Sequence, residues 1–177
     1  VRSHLDGIGD LRFDDTTGRY FTSRLHVEAF GGDCEFSLDE FEDEQEADVV
    51  RRIRNFCAID RSVLTDATDA LFAYYRDVAH ALDFDEEVVP VLTRDQVWSN
   101  VVFNRRPHVE FEDGHWYVTS EEECSWEEEH GLQLVFTDGV ALTRVGAYDG
   151  HLTHRSAWGK GYEIPDGAVY WSPTSEK

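Results

Sequence analysis

The chain has 177 residues, of which 37 are acidic and 16 are Lys or Arg, for a formal net charge of −21. With 41% hydrophobic and 13% aromatic residues, it holds enough apolar side chain to fill a core, which excludes a merely acidic disordered segment. The longest unbroken apolar run, Ala70–Tyr75, is far shorter than the roughly 20 residues a membrane span needs.

The first predicted elements are strands. Residues 8–13, with Ile8, Leu11 and Phe13, form one, and residues 19–30 form another, where Leu25, Val27 and Ala29 alternate with His26, Glu28 and Phe30. Turn residues at Asp15–Gly18 and Gly31–Asp33 make Cys34–Leu38 a returning hairpin partner. The middle of the chain reads as helix. Between Glu44 and Cys57, Val49, Ile53 and Phe56 recur at i, i+4 and i+7, the spacing of one helix face. Asp48 precedes Arg52 by four residues, the favourable order for a helical ion pair, and the arginines fall toward the helix end, where they suit the macrodipole. A second helix is expected over about 61–82, with Val63, Ala67, Leu71, Tyr74, Val78 and Leu82 on its apolar stripe and Asp60 or Ser62 as its cap. Thr93–Gln96 is a capping-box pattern that opens a short helix through Trp98.

From Val101 the pattern returns to strands. Val101–Phe103 is short. Asp113–Gly114 joins Val109 and Phe111 to Trp116 and Val118, and Asp138–Gly139 joins Leu132–Phe136 to Val140 and Leu142, two D-G hairpins. Residues 156–177 mix Trp158, Tyr162, Tyr170 and Trp171 with glycine and proline, the composition of an irregular aromatic cover. Strands, then helices, then strands predict an α+β fold, with an antiparallel sheet and the central helix pair packed on one face. No linker interrupts the chain, so residues 1–177 are expected to form one domain.

The basic residues are 14 arginines and only two lysines, Lys160 and Lys177, and the acids are scattered along the whole length. A partner-binding acidic tail would be one block at one end. Acid everywhere with little lysine fits a halophilic surface: in molar salt the Debye length is about 3 Å and self-repulsion between carboxylates is screened. The rival is an acidic decoy that mimics nucleic acid or blocks a basic surface. Nucleic-acid binding is not expected, because the only basic clusters, Arg51–Arg54 and Arg105–Arg106, are flanked by acids. Three widely spaced cysteines (Cys34, Cys57, Cys124) and no apolar leader at the start lead to the expectation of a reducing cytoplasm and no membrane association.

The stretch Trp126 to Gly139, with Glu129-His130-Gly131-Leu132-Gln133-Leu134-Val135-Phe136 at its centre, is followed by Val145-Gly146 and Asp149-Gly150. It resembles an uncharacterised domain-of-unknown-function family of small bacterial and archaeal proteins that share an E-H-G-L-x-L-x-F-x-x-G hairpin, then V-G and D-G. The resemblance extends over about residues 19–155. It implies no catalytic residues. Similar small domains occur among immunity proteins of toxin systems, which favours a binding role by analogy.

Four constellations bear on chemistry. In Glu127–His130, alternation places Glu128 and His130 on one strand face, a carboxylate–imidazole pair suited to acid–base work; the plain structural reading is solvated carboxylates and a turn or bulge at Gly131. His151 and His154, with His130, Glu128 and Cys124, are candidate zinc ligands, although no H-E-x-x-H or C-x-x-C spacing supports them. The cysteines read as small buried hydrophobes, and acids around Cys124 disfavour a thiolate. Six aromatics of the C-terminal half (Trp116, Trp126, Trp158, Tyr162, Tyr170, Trp171) divide between core and exposed anchors. The function expected is therefore a non-enzymatic, salt-adapted cytoplasmic binding protein, immunity-like, without cofactor. Its partner surface, for another protein, comprises Trp126, Glu128, His130, Asp149, His151 and Trp158. The alternative is a metal-dependent or acid–base enzyme using His130, His151, His154 and a nearby carboxylate.

Overall fold

A computed structural model describes residues 2–174. The fold is α+β, as the strand–helix–strand pattern predicts. Its residues cluster into two compact units, each assembled from three separate stretches of chain. The first comprises Val1–Val63, Arg105–Ser120 and Phe136–Ala141; the second comprises Leu64–Asn104, Glu121–Val135 and Leu142–Lys177. The expected cover extends to residue 177, of which 175–177 lie outside the described residues.

In the first unit β2 (Gly9–Asp14) and β3 (Arg19–Thr22) pair antiparallel within the two expected strand regions, and β1 (His4–Leu5), a strand not expected from the sequence, pairs antiparallel with β2. The strand expected over 19–30 is interrupted. Only Leu25–Val27 (β4) continues it, and Glu28–Phe30 winds into a 3-10 turn that buries Ala29 and Phe30. β5 (Gly32–Cys34) pairs with β4, while β6 (Ser37–Leu38) separates to lie antiparallel to β3 and parallel to β8 (His108–Glu112). β8 turns at Asp113 and Gly114, both at positive φ, into β9 (His115–Cys124), the D-G hairpin expected from the sequence.

Helix α1 (Glu46–Ala58) covers this unit with the predicted face, since Val49, Ile53 and Phe56 are all buried. Phe56 meets Phe30, Phe36 and Phe136 at ring-centroid distances of 5.3, 5.7 and 4.9 Å, all edge-to-face. Fully burying a side chain of this size contributes about 1.5–3 kcal/mol. The Asp48–Arg52 pair forms at 2.6 Å, and Arg52 also bonds Asp138 at 2.7 Å. The macrodipole expectation is corrected: no basic residue lies in the last turn of α1, and Arg52 is held inside by its two carboxylates instead.

The second helical stretch is split into α2 (Ser62–Asp66) and α3 (Thr68–Ala81). The Thr68 hydroxyl donates to the Thr65 carbonyl at 2.6 Å, a local bond that competes with the helical ladder. Asp60 caps the start through the Ser62 amide at 2.7 Å. In the second unit α3 buries Leu71, Tyr74 and Tyr75, but Leu82 lies beyond its end and is exposed. The capping box at Thr93 and Gln96 forms, though it opens two 3-10 turns rather than one helix. β7 (Val101–Val102) pairs with the end of β9, and β10 (Glu127–Thr137) and β11 (Ala141–Gly146) follow. The tail is largely irregular, with one short helix, α4 (His154–Trp158).

Candidate functional site

The second unit contains an acidic cleft of about 700 Å³. Its walls come from the end of β9 (Glu121–Cys124), the start of β10 (Glu127–Gly131), and Ser99, Asn100, Val102 and Asn104 around β7. Six glutamates and His130 line it, and no lysine or arginine does among the described residues. Two asparagines tie the walls together. Asn104 Nδ2 donates to the Glu121 carbonyl at 2.9 Å, and Asn100 Oδ1 accepts from the Ser125 hydroxyl at 3.1 Å. The Asn104 amide donates to the carboxylate of Glu122, which is only 1% exposed.

Gly131 sets the shape of the wall. It sits at φ +62° inside β10, and a Cβ there would lie 2.7 Å from the Glu122 carbonyl oxygen. A left-handed residue within a strand marks a glycine bulge, and only glycine fits both demands. The Tyr74 hydroxyl donates to the Gly131 carbonyl at 2.9 Å, fixing the kink to α3. The bulge also ends the simple alternation on which the Glu128–His130 pairing rested. His130 Nδ1 lies 3.4 Å from Glu127 instead. That carboxylate already accepts the amides of Glu129 at 3.0 Å and His130 at 3.2 Å, so it holds the backbone of the wall. Burial pushes the Cys124 thiol up to about 11, and the Cys57 thiol likewise to about 11, which leaves both protonated at neutral pH.

The other predicted residues divide. Trp126 is 2% exposed, packed edge-on against Tyr74 and Tyr75, so its expected place on a partner surface is corrected. Trp126 stands in the two-residue connection between β9 and β10, and its indole has a large apolar area that is buried at a favourable contact with those rings. Glu128 and His130 are exposed on the cleft, and Trp158 is 42% exposed. Asp149 is engaged by Arg144 at 2.6 Å, and His151 is exposed beside it, its amide bonded to Asp149 at 2.9 Å. His154 is buried in α4, with Nε2 3.0 Å from the Val169 carbonyl. His130 and His154 line different cavities and His151 lines neither. Among the described residues, no group of three or more His, Cys, Asp or Glu is placed to hold a metal ion.

The sequence reading missed a polar chain in the first unit. The Ser37 hydroxyl meets His108 Nδ1 at 2.9 Å, and His108 Nε2 meets Asp39 at 3.3 Å. Ser37 and His108 are register partners on β6 and β8, so the long stretch of intervening chain hides the pairing. A hydroxyl–imidazole–carboxylate chain is the constellation that activates a serine nucleophile. Here Ser37 is only 9% exposed and Asp39 is shared with Arg19 at 2.9 Å, which fits a cross-strand polar staple.

Among the described residues, no helix is long and apolar enough to cross a membrane. No curated protein and no solved structure matches the chain. A family described as a domain of unknown function (DUF6985) matches residues 7–152. The hairpin carrying the acidic wall and its glycine bulge lies inside that span, and the chain belongs to the DUF6985 family.

Proposed function

We propose that the chain is a non-enzymatic binding protein of a salt-rich cytoplasm, immunity-like in role, that presents the acidic cleft of its second unit to a protein partner. One observation supports this reading. Between Glu129 and Phe136 the hairpin is otherwise accounted for by packing: Leu132, Gln133, Leu134, Val135 and Phe136 are buried, and Gly131 is required by the backbone. Glu129 and His130 are exposed on the cleft wall with no packing task. Exposed side chains held on a rigid hairpin are where recognition is usually placed. The acid coat itself covers both units and speaks to solubility in brine. In molar salt the partner is selected at short range, by shape and hydrogen bonding.

The acid–base alternative draws on the 3.4 Å contact between His130 and Glu127. Glu127 is committed to two backbone amides, which favours the binding reading. The test is affinity capture with the tagged chain in molar KCl, wild type beside a Glu129→Ala/His130→Ala variant of matching circular dichroism. A stoichiometric partner retained by the wild type and lost by the variant is expected. Identical capture by both, or a wild type that runs alone, refutes the proposal.

A further inference from the structure

The second unit holds another cavity, lined by different residues from the acidic cleft. Its volume is about 120 Å³, slightly below the roughly 150 Å³ in which an engineered apolar cavity holds benzene. The space therefore suits one six-membered ring at most. Four aromatic side chains wall it: Tyr74, Trp158, Tyr170 and Trp171. Trp158 and Trp171 meet edge-to-face, with centroids 6.0 Å apart.

Three of the lining residues combine deep burial with an unpaired nitrogen. Arg144 is 3%, His154 7% and Trp171 5% exposed. Each carries a buried nitrogen with no hydrogen-bond partner: Arg144 Nε, His154 Nδ1 and Trp171 Nε1. Buried polar atoms are nearly always paired, so three exceptions around one cavity call for an explanation. The guanidinium and indole nitrogens are donors only. His154 Nε2 faces the Val169 carbonyl at 3.0 Å; a carbonyl only accepts, so Nε2 carries the proton and Nδ1 presents a lone pair. Burial lowers the His154 pKa, which keeps the ring neutral. The unpaired set is thus two donors and one acceptor.

Charge narrows the ligand further. Asp149, 2.6 Å from Arg144, neutralises the guanidinium. An anion would meet that carboxylate at short range, and a cation would meet Arg144. A neutral ligand avoids both penalties.

We propose that this cavity binds a small, neutral, planar heterocycle with a lactam edge, the pattern of a pyrimidine base, whose carbonyl accepts from Trp171 Nε1 and Arg144 Nε and whose ring N–H donates to His154 Nδ1. The aromatic walls pack against the ring. This site goes beyond the protein-binding reading and stands or falls without it.

The probe is uracil, titrated into the full chain in molar KCl, followed by calorimetry and by the indole N–H resonance of Trp171, assigned with Trp171→Phe. Saturable binding with a shift of that resonance is expected. Benzene, acetate and tetramethylammonium should each bind at least tenfold more weakly. Trp171→Phe keeps a ring but loses one donor, and should weaken uracil binding about three- to tenfold. The proposal is overturned by an unmoved Trp171 resonance at high uracil, by equal binding to Trp171→Phe, or by tighter binding of acetate or tetramethylammonium. The wild-type resonance separates these outcomes even if the variant folds poorly.

Discussion

Replacing Gly131 by alanine tests the physical account of the cleft wall most directly. Two independent costs arise. An L-residue held at φ +62° loses about 1–2 kcal/mol relative to glycine. The new Cβ would also lie 2.7 Å from the Glu122 carbonyl oxygen. That atom belongs to the backbone of the neighbouring strand, so it yields only if the ladder shifts, an overpacking cost of about 1–3 kcal/mol. Together they predict a loss of about 2–5 kcal/mol. Gly150→Ala is the control, because Gly150 has φ +77° but nothing within 4 Å of its added Cβ; it should cost only the first part, about 1–2 kcal/mol. Urea unfolding of both variants at one fixed KCl concentration measures the difference. A Gly131→Ala variant no less stable than Gly150→Ala would show that the close approach to Glu122 imposes no constraint, and the explanation of the bulge would fail.

Four further outcomes follow from the structure. The unfolding midpoint should rise across a KCl series from dilute buffer to molar salt; a midpoint that stays flat or falls refutes salt adaptation. The Cys57 and Cys124 thiols, both raised to about 11 by burial, should react slowly with a disulfide reagent in the native chain at about pH 7.5 and rapidly after denaturation, whereas fast native labelling of either refutes their inertness. His154 has a folded pKa below its ordinary value of 6.5, so the unfolded chain binds its proton first: the contribution to stability is complete above about 6.5 and is lost as pH falls through the folded value. Arg144, Asp149 and Tyr170 surround that imidazole, and His154→Gln should flatten the loss of stability between about pH 7 and 5, an unchanged slope being the contrary result. Ser37 should resist a fluorophosphonate probe, and Ser37→Ala should cost about 1 kcal/mol as one lost hydrogen bond; covalent labelling at Ser37 would instead establish a nucleophile.

Local chemistry made much of the fold legible. The face of α1, the Thr93–Gln96 box and both D-G turns are short-range features, each decided by residues a few positions apart. The misreadings share a cause. The strand through residues 28–30 gave way to a 3-10 turn because Phe30 joins Phe56 in the core. The long helix broke at Ala67, where a Thr68 hydroxyl bond competes with the ladder. Leu82 and Trp126 changed sides for reasons of placement, one lying past a helix end and the other turned inward from the two-residue connection between β9 and β10 onto Tyr74 and Tyr75. In the first two cases a particular contact overrode the periodic pattern, and in the last two the position at the end of an element did.

The candidate site shows the same division. Composition alone established a folded, acidic chain with little lysine, and the run from Glu129 to Gly139 marked the hairpin. Only the tertiary structure showed that Gly131 is pressed against Glu122, that His130 faces Glu127 rather than Glu128, and that His154 and Trp171 border a cavity. Ser37 and His108, too, meet only because two strands adopt a parallel register. Periodicity reports the side of an element on which a residue lies, and turn residues report where the chain reverses. Neither carries the identity of the atom on the opposing element, and a site is made of those opposing atoms.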